Sequence, residues 1–261
     1  MSAQIIIETD ASGQRLYQIC QEGHELYVRQ LDQQQQWHAT LSFLEKRNPE
    51  LFKKMGYDAL KSLLMTSALM TIAAADLSVV VSSLYLAKLR LEQIYYMKSA
   101  YLIVYETYMA YKDKQRAIME AAVEAGGELL ATQQQVSTQW RQFLNEYKVD
   151  TEIKTIRHHT GGHIHQDFGE WYQIVCSLEP RHTANMLIAF LSCVQNIQDL
   201  LNLLLERKFA LVQVAGKKTN EQASELIEKM EVIQEKINTR QPADQKLNLD
   251  FSLLKKLFNR K

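Results

Sequence analysis

One short segment of this 261-residue chain concentrates the side chains that can do chemistry. It spans residues 154–165 and holds four of the seven histidines. Imidazole exchanges a proton near neutral pH, and a guanidinium presents a planar cationic fork that suits phosphate. The segment therefore indicates either phosphodiester chemistry or a metal site. Its candidate side chains are Lys154, Arg157, His158, His159, His163 and His165.

The metal hypothesis takes three of these histidines, with Asp167 or Glu170 as a further ligand. Zinc accepts imidazole readily, and a catalytic zinc keeps one coordination position open. The pair Gly161-Gly162 predicts a turn here, however, rather than one helical face of regularly spaced histidines. A metallohydrolase that uses the histidine cluster therefore stands as a third hypothesis.

Arg157 and His163 are separated by five residues, and the polar residue His158 follows the arginine directly. In a helical chain this pattern resembles the HEPN family of nucleotide-binding and ribonuclease domains. That family's motif is an arginine, then usually Asn, Asp or His, then a short stretch to a histidine. The resemblance covers these seven residues, 157–163, and the helical context. The two further long helices expected downstream would make this chain an elaborated member.

The resemblance implies a metal-independent ribonuclease that needs no cofactor. RNA carries its own nucleophile, the 2′-hydroxyl, and a histidine within hydrogen-bond reach can take its proton. The product would be a 2′,3′-cyclic phosphate. Arg157 would clamp the phosphate, and His163 would be the general base or acid. His158 would be an orienting polar group. Auxiliary substrate contacts would come from Lys154, His159 and His165.

Two other hypotheses need no catalysis. The chain could be a helical module that dimerises and binds a nucleotide or another protein. Alternatively, Arg157 and His163 could be structural, capping helix carbonyls or pairing with Asp150 and Glu152. Many HEPN-like domains serve as binding or dimerisation modules, so a resemblance in fold does not by itself carry activity.

Composition and charge limit the partners. Thirty basic and thirty acidic residues give zero net charge. The protein as a whole therefore has no electrostatic attraction for RNA, and only a local basic patch could bind it. The family resemblance implies a homodimer, with RNA or a nucleotide as substrate; regulation by a protein partner would reconcile such a substrate with the neutral charge. The three cysteines fit no zinc spacing, and the N-terminus lacks a signal-peptide pattern. We expect a cytoplasmic protein, and the family resemblance implies a toxin or defence effector.

The expected fold is mainly α, an antiparallel helical bundle with a small β appendage. Short apolar runs at residues 5–7, 16–19 and 25–31, separated by turn signals, predict an antiparallel β meander over residues 1–35. Residues 37–261 form the helical bundle domain, with the Arg/His motif at 157–163. Within it, Asn48-Pro49 predicts a helix start, Pro180 another, and Thr219 with Gln222 the start of a last helix.

One helix is apolar enough to raise the question of a membrane. Leu63 to Ala87 could span a bilayer, but a central Asp76 costs about 3 kcal/mol on insertion scales. Its small polar residues also share one helical stripe, which favours packing inside a bundle. We therefore expect no membrane span. The stripe residues are Ser67, Thr71, Ser78 and Ser82.

Two further patterns are interpreted as packing features. The tyrosines between Tyr95 and Tyr111 could stack nucleobases, but too few lysines accompany them to form a basic groove, so a core or interface role is favoured. The basic amphipathic end, residues 253–261, is expected to dock its apolar face on the bundle.

Overall fold

The computed structural model of the protein describes residues 11–160 and 168–238, and over these residues it has nine α-helices, one π-helical turn and no strand. The chain divides into two compact units, Met1–Glu206 and Arg207–Lys261, and every contact discussed below lies within the first. The helices are α1 (Ala11–Arg47), α2 (Pro49–Lys54), α3 (Tyr57–Leu86), α4 (Arg90–Lys112), α5 (Gln115–Ala125), α6 (Gly127–Glu146), α7 (Lys154–Thr160), α8 (Phe168–Ser177) and α9 (Pro180–Asn238), with the π-helical turn at Val149–Ile153.

Local signals set several helix boundaries, and the start predicted at Asn48-Pro49 is confirmed. Asn48 caps α2, its side-chain oxygen accepting a hydrogen bond from the Leu51 backbone N–H at 3.0 Å. Gly56 follows α2 with a φ of 71°, a left-handed conformation that glycine adopts without a Cβ clash. Gly126, with a φ of 67°, ends α5. The long apolar helix predicted after Gly56 is α3, Tyr57–Leu86.

The N-terminal segment differs from the prediction. Residues 16–19 and 25–31, predicted to be strands, are helical within α1, while residues 5–7 lie outside the described residues. The reason is the period of the buried positions. Cys20 and Leu41 are buried and Tyr27 and Gln34 half-buried, and this seven-residue spacing is that of a helix packing along one seam. Short β-type runs mask that longer period.

Helices α1 and α3 lie antiparallel, and the small polar stripe of α3 forms their contact. The Gln34 side-chain amide donates to Ser67 Oγ at 3.0 Å and to Thr71 Oγ1 at 3.1 Å. Further along, Gln21 donates to Ser82 Oγ at 2.8 Å. The stripe therefore packs inside the helical assembly, as predicted. Glutamines thus pair with three of the four hydroxyls, and the fourth, on Ser78, donates to the Ala75 backbone carbonyl at 2.7 Å. A buried hydroxyl left unpaired would cost about 1–3 kcal/mol.

The tyrosines of α4 form part of the core. Tyr101, Tyr105, Tyr108 and Tyr111 are all buried, which confirms the packing interpretation for these four. The ring of Tyr111 lies 5.1 Å from that of Trp140 in an edge-on arrangement. Because these rings are enclosed, they offer no face on which a nucleobase could stack.

Two helical stretches among the described residues have the length and composition of a membrane span, Tyr57–Leu86 and Pro180–Leu211. In the most apolar window of each, 61% and 50% of the residues are buried within the protein. A core helix meets the same criteria, so the stretches by themselves do not decide where the protein resides.

The last helix also departs from the prediction. α9 begins at Pro180, as expected, and continues without a break to Asn238. Thr219 and Gln222 therefore lie inside a helix and do not start one. A capping pattern of Thr and Gln three residues apart also fits an exposed helix interior, where both residues are tolerated.

Candidate functional site

The arginine and two of the candidate histidines lie on α7, a short helix with an irregular entry. Lys148 takes a left-handed backbone with a φ of 46°, uncommon for a residue with a Cβ, and the π-helical turn follows it. Val149 and Ile153 on this turn are almost fully buried and anchor it in the core. Residues 154–160 are thus helical, and the Gly161-Gly162 pair, His163 and His165 lie outside the described residues.

Arg157 is held by two neighbours on α4. Its Nε and Nη2 both contact Glu106 Oε1, at 2.8 and 2.7 Å. Its guanidinium carbon lies 5.9 Å from the centre of the Tyr105 ring. A guanidinium has five N–H donors. The two that face Glu106 orient the group. Of the other three, one on Nη1 is directed at His158 Nδ1 at 3.5 Å, and the second on Nη1 and one on Nη2 meet no acceptor among the described residues.

His158 lies on the Nη1 side of this arginine. Its Nδ1 is 3.5 Å from Arg157 Nη1, and its ring centre is 6.3 Å from that of Tyr105. The side chain is exposed. Arg157 and His158 thus form a small polar patch against one buried tyrosine, open to solvent on its outer side.

The two acidic residues suggested as structural partners of Arg157 are engaged elsewhere. Asp150 accepts a hydrogen bond of 2.7 Å from the Tyr108 hydroxyl. Burial, this hydrogen bond and the charge of the carboxylate together raise the pKa of Tyr108 to about 12. Tyr108 is therefore a neutral donor at physiological pH. Glu152 pairs with Lys148 at 2.5 Å. The expectation that Arg157 pairs with Asp150 or Glu152 is therefore wrong, because its carboxylate partner is Glu106.

His159 links α7 to α8. Its Nδ1 lies 2.8 Å from the Thr155 backbone carbonyl, and its Nε2 lies 2.9 Å from Glu170 Oε1. Both ring nitrogens thus face an acceptor within the protein, and the contact fixes the start of α8 beside α7. Lys154, by contrast, is exposed on the first turn of α7.

A small pocket of roughly 170 Å³ lies beside α7. Tyr101 and Ile156 line it together with Glu179 and His182 from the start of α9. Glu179 and His182 have the Glu-x-x-His spacing of some metal-binding helices. Even so, within residues 11–160 and 168–238 no three His, Cys, Asp or Glu side chains converge as metal binding requires.

Sequence reasoning missed Glu106 and Tyr105 as partners of Arg157. Glu106 is 51 residues from Arg157 along the chain, on a helix in which only the tyrosines suggested a role. The signal in the sequence was that Glu106 is the one charged residue between Tyr101 and Tyr111. Comparison of the chain with protein-family models, curated proteins and solved structures finds no significant match.

Proposed function

We propose that the protein is a metal-independent endoribonuclease of HEPN type, built on an elaborated HEPN-like antiparallel helical bundle. The observation that most supports this proposal is the set of contacts that holds the Arg157 guanidinium. Its guanidinium is oriented by Glu106 and Tyr105, has His158 beside Nη1, and keeps two N–H groups that meet no acceptor among the described residues. A cation held in this way stabilises charge that develops on a phosphate without first having to reorganise.

The reaction assigns a role to each motif residue. The RNA 2′-oxygen attacks the adjacent phosphorus while His163 takes the hydroxyl proton. The bond from phosphorus to the 5′-oxygen breaks, and that oxygen takes a proton from water. Arg157 binds the non-bridging oxygens, and His158 orients them. Lys154 and His165 contact flanking phosphates, and His159, through its tie to Glu170, sets the wall of the site.

The biological setting follows from the family resemblance. Two protomers of a homodimer face each other and bring two Arg157 side chains to one cleft. A toxin or defence effector in the cytoplasm, restrained by a regulatory protein partner, is consistent with the neutral charge of the chain. Because an unrestrained ribonuclease would damage its own cell, control by a partner is expected.

The test is cleavage of single-stranded RNA in EDTA by wild type, Arg157→Ala and His163→Ala. We expect wild type to leave 2′,3′-cyclic ends and each variant to lose about a hundredfold or more in rate. The matched control is Arg116→Ala, which also removes an exposed arginine paired with a glutamate, at 2.8 Å from Glu120. This control should cleave like wild type.

Three results would overturn the proposal. Equal cleavage by wild type and both variants would mean that a contaminating nuclease is responsible. Absence of cleavage in every sample, with and without EDTA, would reject ribonuclease activity. Cleavage that EDTA abolishes and zinc restores would instead support the metallohydrolase hypothesis.

The second candidate function is a non-catalytic helical module that dimerises or binds a protein. It is favoured by an exposed aliphatic row on α3, in which Met65, Ile72, Val79 and Leu86 recur every seven residues and are 46–60% exposed. Such a row is typical of a helix that packs against a partner helix. Sedimentation of wild type and Ile72→Lys tests it, since an unchanged mass would reject the row as a self-association surface.

A further inference from the structure

Helix α8 exposes aromatic rings on its outer face. Phe168 and Tyr172 are spaced four residues apart, so they share one face, and they are 70% and 54% exposed. Val175, one turn beyond Tyr172 on the same face, is buried, so the exposed part of this face is its N-terminal part. Large aromatic side chains in water are costly, because each could bury some 150–250 Å² of surface. Two on one short helix form an exposed aromatic patch.

The rings are arranged as a stack rather than scattered. The centre of the Phe168 ring lies 6.3 Å from that of Trp171, with only 25° between their planes, and 5.7 Å from that of Tyr172. Lys98 Nζ lies 5.6 Å from the centre of the Trp171 ring. The patch thus combines accessible ring faces with a cation, the pairing that binds unpaired nucleobases and their phosphates. We call Phe168, Trp171, Tyr172 and Lys98 the aromatic platform.

The aromatic platform is tied to the Arg157 site at two points. His159, two residues beyond Arg157, contacts Glu170 Oε1 at 2.9 Å, within the first turn of α8. Lys98 and Glu106, which hold Trp171 and Arg157, are both on α4 and eight residues apart. At 1.5 Å per residue their backbones are about 12 Å apart along the helix axis. A strand of a few nucleotides spans that distance.

We propose that the aromatic platform stacks unpaired bases of a single-stranded RNA whose phosphate lies at Arg157. This inference rests on the proposed function and narrows its substrate to unpaired RNA, since bases within a duplex have no free face. A protein partner would suit the aliphatic row of α3 better, because that row is longer and carries no adjacent cation. Two exposed rings and a lysine are too small for a stable protein interface, which buries about 800 Å² on each side.

The test measures binding separately from cleavage. The probe is a short fluorescein-labelled single-stranded RNA with 2′-O-methyl groups, which cannot be cut because its nucleophile is blocked. Anisotropy gives the dissociation constant for wild type, Phe168→Ala, Phe168→Leu and Phe43→Ala. Phe43 is the matched control, a phenylalanine on α1 that is 59% exposed.

We expect Phe168→Ala to weaken binding by about five- to a hundredfold, the range for loss of one stacked base, and the Leu variant to recover little of it. Phe43→Ala should bind as wild type does, and a duplex of the same sequence should bind more weakly than the single strand. Equal binding by wild type and Phe168→Ala, or tighter binding of the duplex, would overturn the inference.

Two further outcomes separate this inference from the proposed ribonuclease. Platform-dependent binding without cleavage of unmodified RNA would keep the inference and reject the enzyme. Cleavage that depends on Arg157 but not on Phe168 would keep the enzyme and reject the aromatic platform. If Phe168→Ala instead changes the sedimentation mass and leaves binding unaltered, the platform is a protein interface and the inference fails.

Discussion

The contact between α1 and α3 and the junction around α7 both place polar side chains among apolar ones, with opposite results. Along α1 and α3, glutamines meet buried hydroxyls, and neutral donors are matched to neutral acceptors. Around α7, charged and titratable groups meet at a half-open surface, where Arg157 is 35% and Glu106 52% exposed. The first arrangement fixes the register of two helices. The second holds reactive groups in place while leaving part of each accessible.

The comparison predicts that core truncation damages stability alone. Leu77 on α3 is fully buried, so Leu77→Ala should lower the free energy of unfolding by about 2–5 kcal/mol through lost burial and a cavity. Urea unfolding measures this, with Leu91→Ala, at a position 76% exposed, as the control. RNA cleavage per folded molecule should be unchanged. A cleavage defect in the folded fraction would show that the two regions are coupled.

A smaller loss is expected from the hydroxyl stripe. Thr71 Oγ1 accepts hydrogen bonds from Gln34 at 3.1 Å and from buried Gln198 at 3.0 Å. Thr71→Val keeps the shape but leaves at least one buried amide unpaired, which should cost about 1–3 kcal/mol in urea unfolding. Thr71→Ser retains the oxygen and should recover most of that loss. If the valine variant is as stable as wild type, the polar contact does not contribute to stability.

At the junction the order of effects should reverse, with little change in stability and a visible change in activity. Glu106→Ala removes a half-exposed ion pair that is worth at most about 1 kcal/mol. Because Glu106 positions Arg157, RNA cleavage should fall by about tenfold or more.

Glu106→Gln retains an oxygen that can accept from Arg157 and should restore part of that activity. The control Glu120→Ala breaks the exposed pair with Arg116 and should leave cleavage intact. Wild-type cleavage by Glu106→Ala would mean that Arg157 needs no positioning. A large fall in the free energy of unfolding of Glu106→Ala would mean that Glu106 mainly stabilises the fold.

The smallest effect concerns the thiols. Burial raises the pKa of Cys20 and of Cys193 to about 11, so both stay protonated and enclosed at pH 8, whereas Cys176 on α8 is exposed. A thiol reagent at pH 8 should label one cysteine quickly, and Cys176→Ser should abolish that fast phase. Rapid labelling of a second cysteine would contradict the tight packing of α1 or α9.

Predictability also differs between the two regions. α2, α3 and α6 follow from apolar content and from Asn48, Gly56 and Gly126, because caps and left-handed glycines act over a few residues. The helical seam of α1 was harder, since its seven-residue period competes with short β-type runs. The break predicted at Thr219 within α9 was wrong for a similar reason, because a capping pattern does not by itself end the helix before it.

The sequence by itself determined that this chain is mainly helical, that a hydroxyl stripe on α3 packs inward, and that Arg157 and His158 lie together. Each depends on residues within a few turns of one another. Only the tertiary structure decided that Glu106 and Tyr105 hold Arg157, that Gln34 meets Thr71, and that Lys98 covers Trp171. These pairs join helices that are far apart in sequence. Their contacts depend on how whole apolar faces pack, which no local pattern encodes.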